Sequence, residues 1–180
     1  IAIAVAVLAP EAVGWLLMQA GGSIFVTLSY GVFDGAVTGL SALGSFTATA
    51  VSGFASGALA SGNLEGGLQG AFTAAMFYGA GDLITGTGAF AGTGGVSNQF
   101  GQVAIHAVVG CVTSEVGGSK CGPGAAAAAF SKFATVNGFV GRDVVSGTIT
   151  SAVIGGTAAE LGGGKFANGA QTAAFAYLFN

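Results

Sequence analysis

The chain repeats one stretch of its own sequence, and this repeat restricts the possible folds more than any other feature. Residues 107–130 read AVVGCVTSEVGGSKCGPGAAAAAF, and residues 152–175 read AVIGGTAAELGGGKFANGAQTAAF. Both run from a small apolar stretch through an acid and two glycines to a lysine, an alanine-rich stretch and a phenylalanine. A looser copy occupies residues 50–72, where Asn63 takes the place of the lysine. Such self-similarity indicates that one packing unit is used several times.

Each copy has the pattern of a helical hairpin. Its first half is an apolar stretch, and the glycine cluster that follows permits positive φ, which ends a helix and turns the chain. Its second half is rich in alanine, the strongest helix former. Glu115 with Lys120, and Glu160 with Lys165, are placed to pair across the two turns. We therefore predict an all-α fold of repeated glycine-rich helical hairpins, packed in a stack or bundle.

Glycine inside these helices needs a compensating gain, because each costs roughly 1 kcal/mol relative to alanine. Small residues at four-residue spacing let another helix backbone approach closely. The alternative is that a chain rich in glycine and alanine shows this spacing by chance, within loops. The helix-packing positions that the spacing predicts are Gly31, Gly35, Gly39, Gly110, Gly118, Gly155 and Gly163.

The composition excludes several classes of protein. Charged residues make up 6% of the chain, against about 25% in ordinary soluble domains. With 35 glycines but no Gly-X-Y period, and 52% hydrophobic residues, the chain is neither collagen-like nor disordered. Its four basic residues are scattered and form no stripe, so no nucleic-acid partner is expected. A surface with so few charges indicates shielding by partner segments or contact with lipid.

Two regions are predicted along the chain. Residues 1–44 form an apolar N-terminal helical segment, and residues 45–180 form the repeat region, with units at about 50–80, 104–134 and 149–180. Residues 12–33 carry no charge and are long enough to span a bilayer, with Trp15 and Tyr30 at its two interfaces. The alternative for the same stretch is a buried helix pair broken at two adjacent glycines.

The turn-forming residues and the first residues of the chain give further expectations. Residues 85–101 carry turn signals throughout and are predicted to be a loop. The chain begins at Ile1 without methionine, so we expect a piece of a longer protein. No basic stretch precedes the apolar start, so the start is not a signal peptide as it stands.

No constellation of residues predicts an enzyme. Gly86, Gly88 and Gly92 resemble a dinucleotide-binding loop, yet no acid for the ribose lies between Asp82 and Glu115. His106 is the only histidine, no G-x-S-x-G elbow accompanies it, and we predict a half-buried structural role. One histidine and two cysteines do not complete a zinc site. We predict no catalytic, cofactor-binding or metal-binding residues.

Cys111 and Cys121 are a candidate disulfide. They lie on either side of one glycine turn, and the other close copy has Gly156 and Phe166 at their positions. Two cysteines in the same copy favour a bond across that hairpin, as found in exported proteins. Against it, helix rise places Cys111 about 8 Å along the axis from the turn, while bonded cysteines need Cα atoms within about 7 Å. The sequence leaves both alternatives open.

The repeated segment also resembles a known region of bacterial toxins. The stretch GGTAAELGGGKFANGAQTAAF is the most specific part, and the resemblance covers residues 45–180. It is similar to the glycine-rich region near the C-terminus of polymorphic toxins, including RHS-repeat effectors and filamentous-haemagglutinin-like contact-dependent inhibition proteins. In such proteins this region follows a long β-rich stalk or shell and often precedes a variable toxin domain.

The resemblance implies a protein of interbacterial competition that is secreted or held at the bacterial cell surface. Its partners would be the rest of the parent toxin chain, an immunity protein and the target-cell membrane. The function expected first is that of a non-enzymatic pre-toxin module that supports packing, presentation or translocation of a C-terminal toxin. The alternative is a membrane-inserting glycine-zipper effector that forms pores and depolarises target cells.

Overall fold

The computed structural model describes residues 42–180, with side chains from residue 46 onward except that of residue 48. Within this part of the chain all regular secondary structure is helical, so the all-α prediction is confirmed. The predicted bilayer span at 12–33 and the packing glycines Gly31, Gly35 and Gly39 lie outside the described residues. The elements are α1 (Ala42–Ser61), α2 (Leu64–Thr85), a 3₁₀ turn (Gly88–Phe90), α3 (Gln99–Val116), α4 (Cys121–Val136), α5 (Val144–Leu161) and α6 (Phe166–Leu178).

The chain divides into two compact units between Ala75 and Met76, inside helix α2. The described part of the first unit consists of α1 and the N-terminal part of α2. The second unit contains the C-terminal end of α2 and the helices α3 to α6. The region boundary predicted at residue 44 lies beside the start of the described residues.

In the first unit, α1 and α2 contact each other through glycine backbones. A methyl group placed on Gly53 would overlap the carbonyl oxygen of Gly70 and lie 2.5 Å from the Cβ atom of Ala74. One turn further on, a methyl group on Gly57 would overlap the carbonyl oxygen of Gly66. The two helix backbones therefore pack at a separation that excludes any side chain at these positions.

In the second unit, α3 packs on α4 and α5 packs on α6 through equivalent positions. A methyl group on Gly110 would overlap the Gly124 carbonyl oxygen, with the Ala128 Cβ atom 2.5 Å away. A methyl group on Gly155 would overlap the Ala173 Cβ atom and lie 2.9 Å from the Gly169 carbonyl oxygen. Helix α4 also contacts α5 and α6, and α3 contacts α6. The arrangement of all three hairpins as one stack or bundle stays a prediction.

The two close copies turn with the same backbone hydrogen bonds. Gly118 N donates to the Glu115 carbonyl oxygen at 3.0 Å, and Ser119 N donates to the Ser114 carbonyl oxygen at 2.8 Å. The bonds of Gly163 and Gly164 have the same spacing and lengths in the second copy. These pairs are the 5→2 and 6→1 bonds of a Schellman motif, which requires a left-handed residue after the helix.

This geometry corrects two of the predicted helix-packing residues. Gly118 has φ +70° and Gly163 has φ +80°, and each lies beyond the end of its helix. A methyl group on either would meet no atom within 4 Å. Glycine is used there because positive φ strains other residues, and not because a second helix approaches.

The helix N-termini use different capping groups. The Asn98 side chain accepts the Gly101 N–H at 2.6 Å to start α3, and Asp143 accepts the Ser146 N–H at 2.9 Å to start α5. The N-cap of α4 is Lys120, whose side chain makes no capping bond. Glu115 supplies the missing acceptor, since its Oε1 atom accepts the Cys121 N–H at 2.8 Å. Glu115 thus caps the next helix instead of forming the expected pair with Lys120.

Candidate functional site

A cavity of about 310 Å³ with several polar groups in its wall lies in the second unit, where α3, α4 and the end of α6 converge. We call it the His106 cavity. It contains the one histidine of the chain, one lysine and several hydroxyl and amide groups. Its lining residues are His106, Ser131, Lys132, Thr135, Val144, Ala176, Tyr177 and Asn180.

His106 is held in one orientation and one protonation state. Its side chain is only 1% exposed, and its ring lies 5.7 Å from the ring of Phe77, measured between centroids. The Nδ1 atom lies 3.0 Å from the Gln102 carbonyl oxygen. Because a carbonyl oxygen only accepts, Nδ1 carries the proton and Nε2 keeps a lone pair. Nε2 makes no hydrogen bond of normal geometry within residues 42–180.

The surroundings keep the imidazole neutral. Burial lowers the pKa of His106 to about 4, and the positive charge of Lys132 acts in the same direction. The Gln102 carbonyl and the Asn180 side chain oppose this shift without overcoming it. At neutral pH the Nε2 atom is therefore a hydrogen-bond acceptor.

Lys132 brings a cation into the cavity without an acidic partner. Its Nζ atom donates to the Asn180 Oδ1 atom at 2.6 Å, and burial lowers the pKa of its ammonium group. Among the described residues Lys132 forms no salt bridge, so its nearest partner is a neutral amide. An adjoining cavity of about 480 Å³ also borders Lys132 and Asn180, and it contains Asp82 and Gln102. Lys132 thus borders two cavities.

Of the three hydroxyl side chains that line the His106 cavity, those of Thr135 and Tyr177 have their protons engaged elsewhere. Thr135 Oγ1 donates to the Ser131 carbonyl oxygen at 2.9 Å, and the Tyr177 hydroxyl donates to the Gly141 carbonyl oxygen at 2.9 Å. Burial raises the pKa of Tyr177, and the charge of Asp143 adds to this. The strong groups left for a bound molecule are the Lys132 ammonium as donor and His106 Nε2 as acceptor.

A second cavity, of about 360 Å³, lies between the two glycine turns of the second unit. Lys120 and Lys165 border it, and both side chains are exposed. The Asn168 Nδ2 atom donates to the Ser119 Oγ atom at 2.5 Å and ties the start of α6 to the first turn. This cavity therefore marks where the two hairpins lie side by side with their turns at the same end.

The structure joins the sulfur atoms of Cys111 and Cys121, at 2.14 Å. Their Cα atoms are 4.0 Å apart, because Cys121 opens α4 and the turn returns the chain along the end of α3. The separation of about 8 Å expected from helix rise counted only the distance from Cys111 to the turn, and it left out the return of the chain that brings Cys121 back beside Cys111. Gly110, beside Cys111, packs against Gly124 in the same hairpin.

Sequence reasoning missed the His106 cavity. His106 was expected to be half-buried and is fully buried, while Lys132 and Asn180 carried no local signal. Among residues 42–180 no group of three or more potential ligands could hold a metal ion. The glycines that resembled a dinucleotide loop lie in the irregular segment between α2 and α3, where Gly86, Gly88 and Gly92 adopt positive φ.

No protein-family model matches the chain, and neither a curated protein nor a solved structure matches it. Of the helices that the structure describes, Val144–Leu161 is the one long and apolar enough to cross a membrane, judged by length and composition. In the structure 39% of that helix is buried.

Proposed function

We propose that the chain is a non-enzymatic pre-toxin module of a secreted bacterial polymorphic toxin. In this role it packs against the rest of the parent chain and supports presentation or translocation of a C-terminal toxin. The repeat and its resemblance to the pre-toxin region motivate the proposal.

One observation carries the proposal: small residues make the close helix contacts, and many large apolar side chains face outward although Phe77, Phe175 and Phe179 are buried. Ala127, Ala128 and Ala173 are completely buried, and the helix contacts around them are made by glycine. The outward residues include Leu64, Leu68, Phe100, Val108, Phe130, Phe139, Val145, Ile149, Val153 and Leu161. Where such side chains adjoin one another, as Val145, Ile149 and Val153 do at four-residue steps on α5, the exposed apolar surface supports coverage by another part of a larger protein.

The alternative is a membrane-inserting glycine-zipper effector that forms pores, and one helix face favours it. Val145, Ile149 and Val153 follow one another at four-residue steps on α5 and are 55%, 49% and 53% exposed. They form an apolar stripe on the helix that is long enough to cross a bilayer. Small residues at helix contacts with apolar residues outside are also the pattern of membrane helix pairs.

Reaction of introduced cysteines tests the module. Ile149→Cys on the apolar stripe of α5 is compared between the isolated chain and the parent protein, with the exposed loop variant Thr93→Cys as control. The module predicts that the Ile149→Cys thiol reacts with a maleimide in the isolated chain and is protected in the parent. Equal reaction in both, with Thr93→Cys reacting throughout, would show that the parent does not cover this surface.

Dye release from vesicles of phosphatidylethanolamine and phosphatidylglycerol separates the two functions. The module predicts that the purified chain releases no dye. Release that is lost in the triple variant Val145→Asp, Ile149→Asp, Val153→Asp and kept in Thr93→Asp would establish the pore function instead. Thr93 is exposed in the segment between α2 and α3, outside the stripe, and is the control.

A further inference from the structure

We propose that the His106 cavity binds a small oxyanion that carries a proton, such as hydrogen phosphate or a hydroxycarboxylate. This proposal is independent of the pre-toxin function, because it rests on three side chains of the second unit and not on its outer surface.

The first requirement comes from Lys132. Its ammonium group lies in the cavity wall with a single hydrogen bond, to the neutral amide of Asn180 at 2.6 Å. Within the described residues no salt bridge balances it. A partly buried cation gains most from an anionic partner, and an ammonium group has three donors, of which Asn180 takes one. The cavity is therefore suited to a molecule with negatively charged oxygen atoms.

The second requirement comes from His106. Its Nδ1 proton is engaged by the Gln102 carbonyl oxygen at 3.0 Å, so its Nε2 atom offers only a lone pair. That atom is buried and makes no hydrogen bond of normal geometry in residues 42–180, although the Asn180 side chain lies near enough to the ring to act on its pKa. Leaving a buried acceptor unsatisfied costs about 1–3 kcal/mol, so a ligand that donates an O–H to it is favoured. An oxyanion without a proton cannot do this.

The two requirements together define the ligand by chemistry. Hydrogen phosphate and hydroxycarboxylates carry both a charged oxygen and an O–H group, whereas sulfate and acetate lack the O–H at neutral pH. The cavity of about 310 Å³ has room for them, since a water molecule takes about 30 Å³. A water molecule in the cavity satisfies Nε2 but leaves the charge of Lys132 unbalanced.

The test compares two matched pairs of oxyanions, in each of which one member carries an O–H group and the other does not. The ¹⁵N resonance of His106 Nε2 in the intact chain is followed during titration with phosphate, sulfate, glycolate and acetate at pH 7 and constant ionic strength. We expect a saturable shift with phosphate, glycolate or both, at least about tenfold tighter than with the matched sulfate or acetate, as one unsatisfied buried hydrogen bond produces. Saturation with phosphate identifies the ligand class as hydrogen phosphates, and saturation with glycolate identifies it as hydroxycarboxylates.

Three variants locate the site. Lys132→Met is expected to abolish binding, and His106→Phe to remove the preference for the protonated ligand. Lys120→Met, at an exposed lysine on a turn, should bind as the original chain does. The proposal is wrong if phosphate and sulfate, and glycolate and acetate, shift the resonance alike, if no ligand saturates it, or if Lys120→Met loses as much affinity as Lys132→Met. The resonance of the unaltered chain gives the answer even where a variant fails to fold.

Discussion

The Cα atom of Gly110 faces the carbonyl group of Gly124 so closely that a single methyl group on Gly110 would overlap the carbonyl oxygen. The same relationship joins Gly53 to Gly70 in the first unit. These contacts are made between backbones, so they form only because glycine has no Cβ atom. The stability of each hairpin should therefore respond sharply to the smallest possible addition of volume.

Gly110→Ala is expected to destabilise the protein by about 2 kcal/mol. The added methyl group meets a backbone carbonyl and the Ala128 Cβ atom, neither of which is free to move aside, and this overpacking outweighs the gain in helix propensity. Urea unfolding followed by circular dichroism measures the change.

Gly79→Ala is the matched control for that substitution. Gly79 also lies inside a helix, but a methyl group there meets nothing within 4 Å. We expect a gain of roughly 0.5–1 kcal/mol, the ordinary advantage of alanine over glycine in a helix. Equal effects at the two positions would show that the backbone contact does not limit what Gly110 tolerates.

Gly118→Ala is expected to cost about 1 kcal/mol, through backbone strain alone. The position has φ +70° and open space around it, so neither a clash nor a lost contact contributes. Gly118→Asn should cost less, since asparagine tolerates left-handed backbone better than alanine does. If asparagine costs as much as alanine in thermal unfolding, the strain explanation fails.

Loss of the disulfide is expected to destabilise the chain by about 2.5 kcal/mol, from the ten-residue separation between Cys111 and Cys121. Thiol counting with a maleimide on the folded, oxidised protein should find no reactive cysteine. The double variant Cys111→Ser, Cys121→Ser should unfold at lower urea concentration than the oxidised chain and match the reduced one. Two reactive thiols in the oxidised protein would contradict the bond.

Acid should weaken the fold through His106. Its pKa is lowered from 6.5 to about 4 by burial and by Lys132, so the unfolded chain binds a proton more readily between these values. Stability is therefore complete above about pH 6.5 and falls by about 3 kcal/mol as the pH drops to about 4. Two other titratable groups lie near the histidine: Tyr177 lines the His106 cavity, and Asp82 lines the adjoining one. The contribution of His106 is therefore taken as the difference in the pH dependence of unfolding between the original chain and His106→Phe. Identical pH profiles for the two proteins would refute the assignment.

The sequence was sufficient to predict the helices and their turns, because the turn glycines carry a local requirement for positive φ. It was not sufficient to separate turn glycines from packing glycines. Gly110 and Gly118 belong to the same four-residue series, yet only Gly110 faces another helix. Which face meets a neighbour is decided by the partner helix and not by the spacing.

The His106 cavity could not be predicted for a related reason. Lys132 and Asn180 are 48 residues apart and lie on different helices, so their hydrogen bond leaves no pattern along the chain. His106 had no motif around it, and its burial follows only from the packing of α3 beside α4 and α6. The periodicity of a sequence predicts which residues share a helix face, but it does not predict contacts between single polar residues on different helices.

The backbone contact at Gly53, Gly70 and Ala74 in the first unit also bears on how such repeats diverge. This hairpin shares little sequence with the other two, yet it keeps the glycine, glycine and alanine positions at which Gly110, Gly124 and Ala128 meet. The contact that closes such a unit depends on two glycines and one alanine on its inner faces, so it sets no requirement on the outward positions. Hairpins of this kind can therefore differ in their exteriors, and so in the neighbours they contact, while sharing the same contact between their helices.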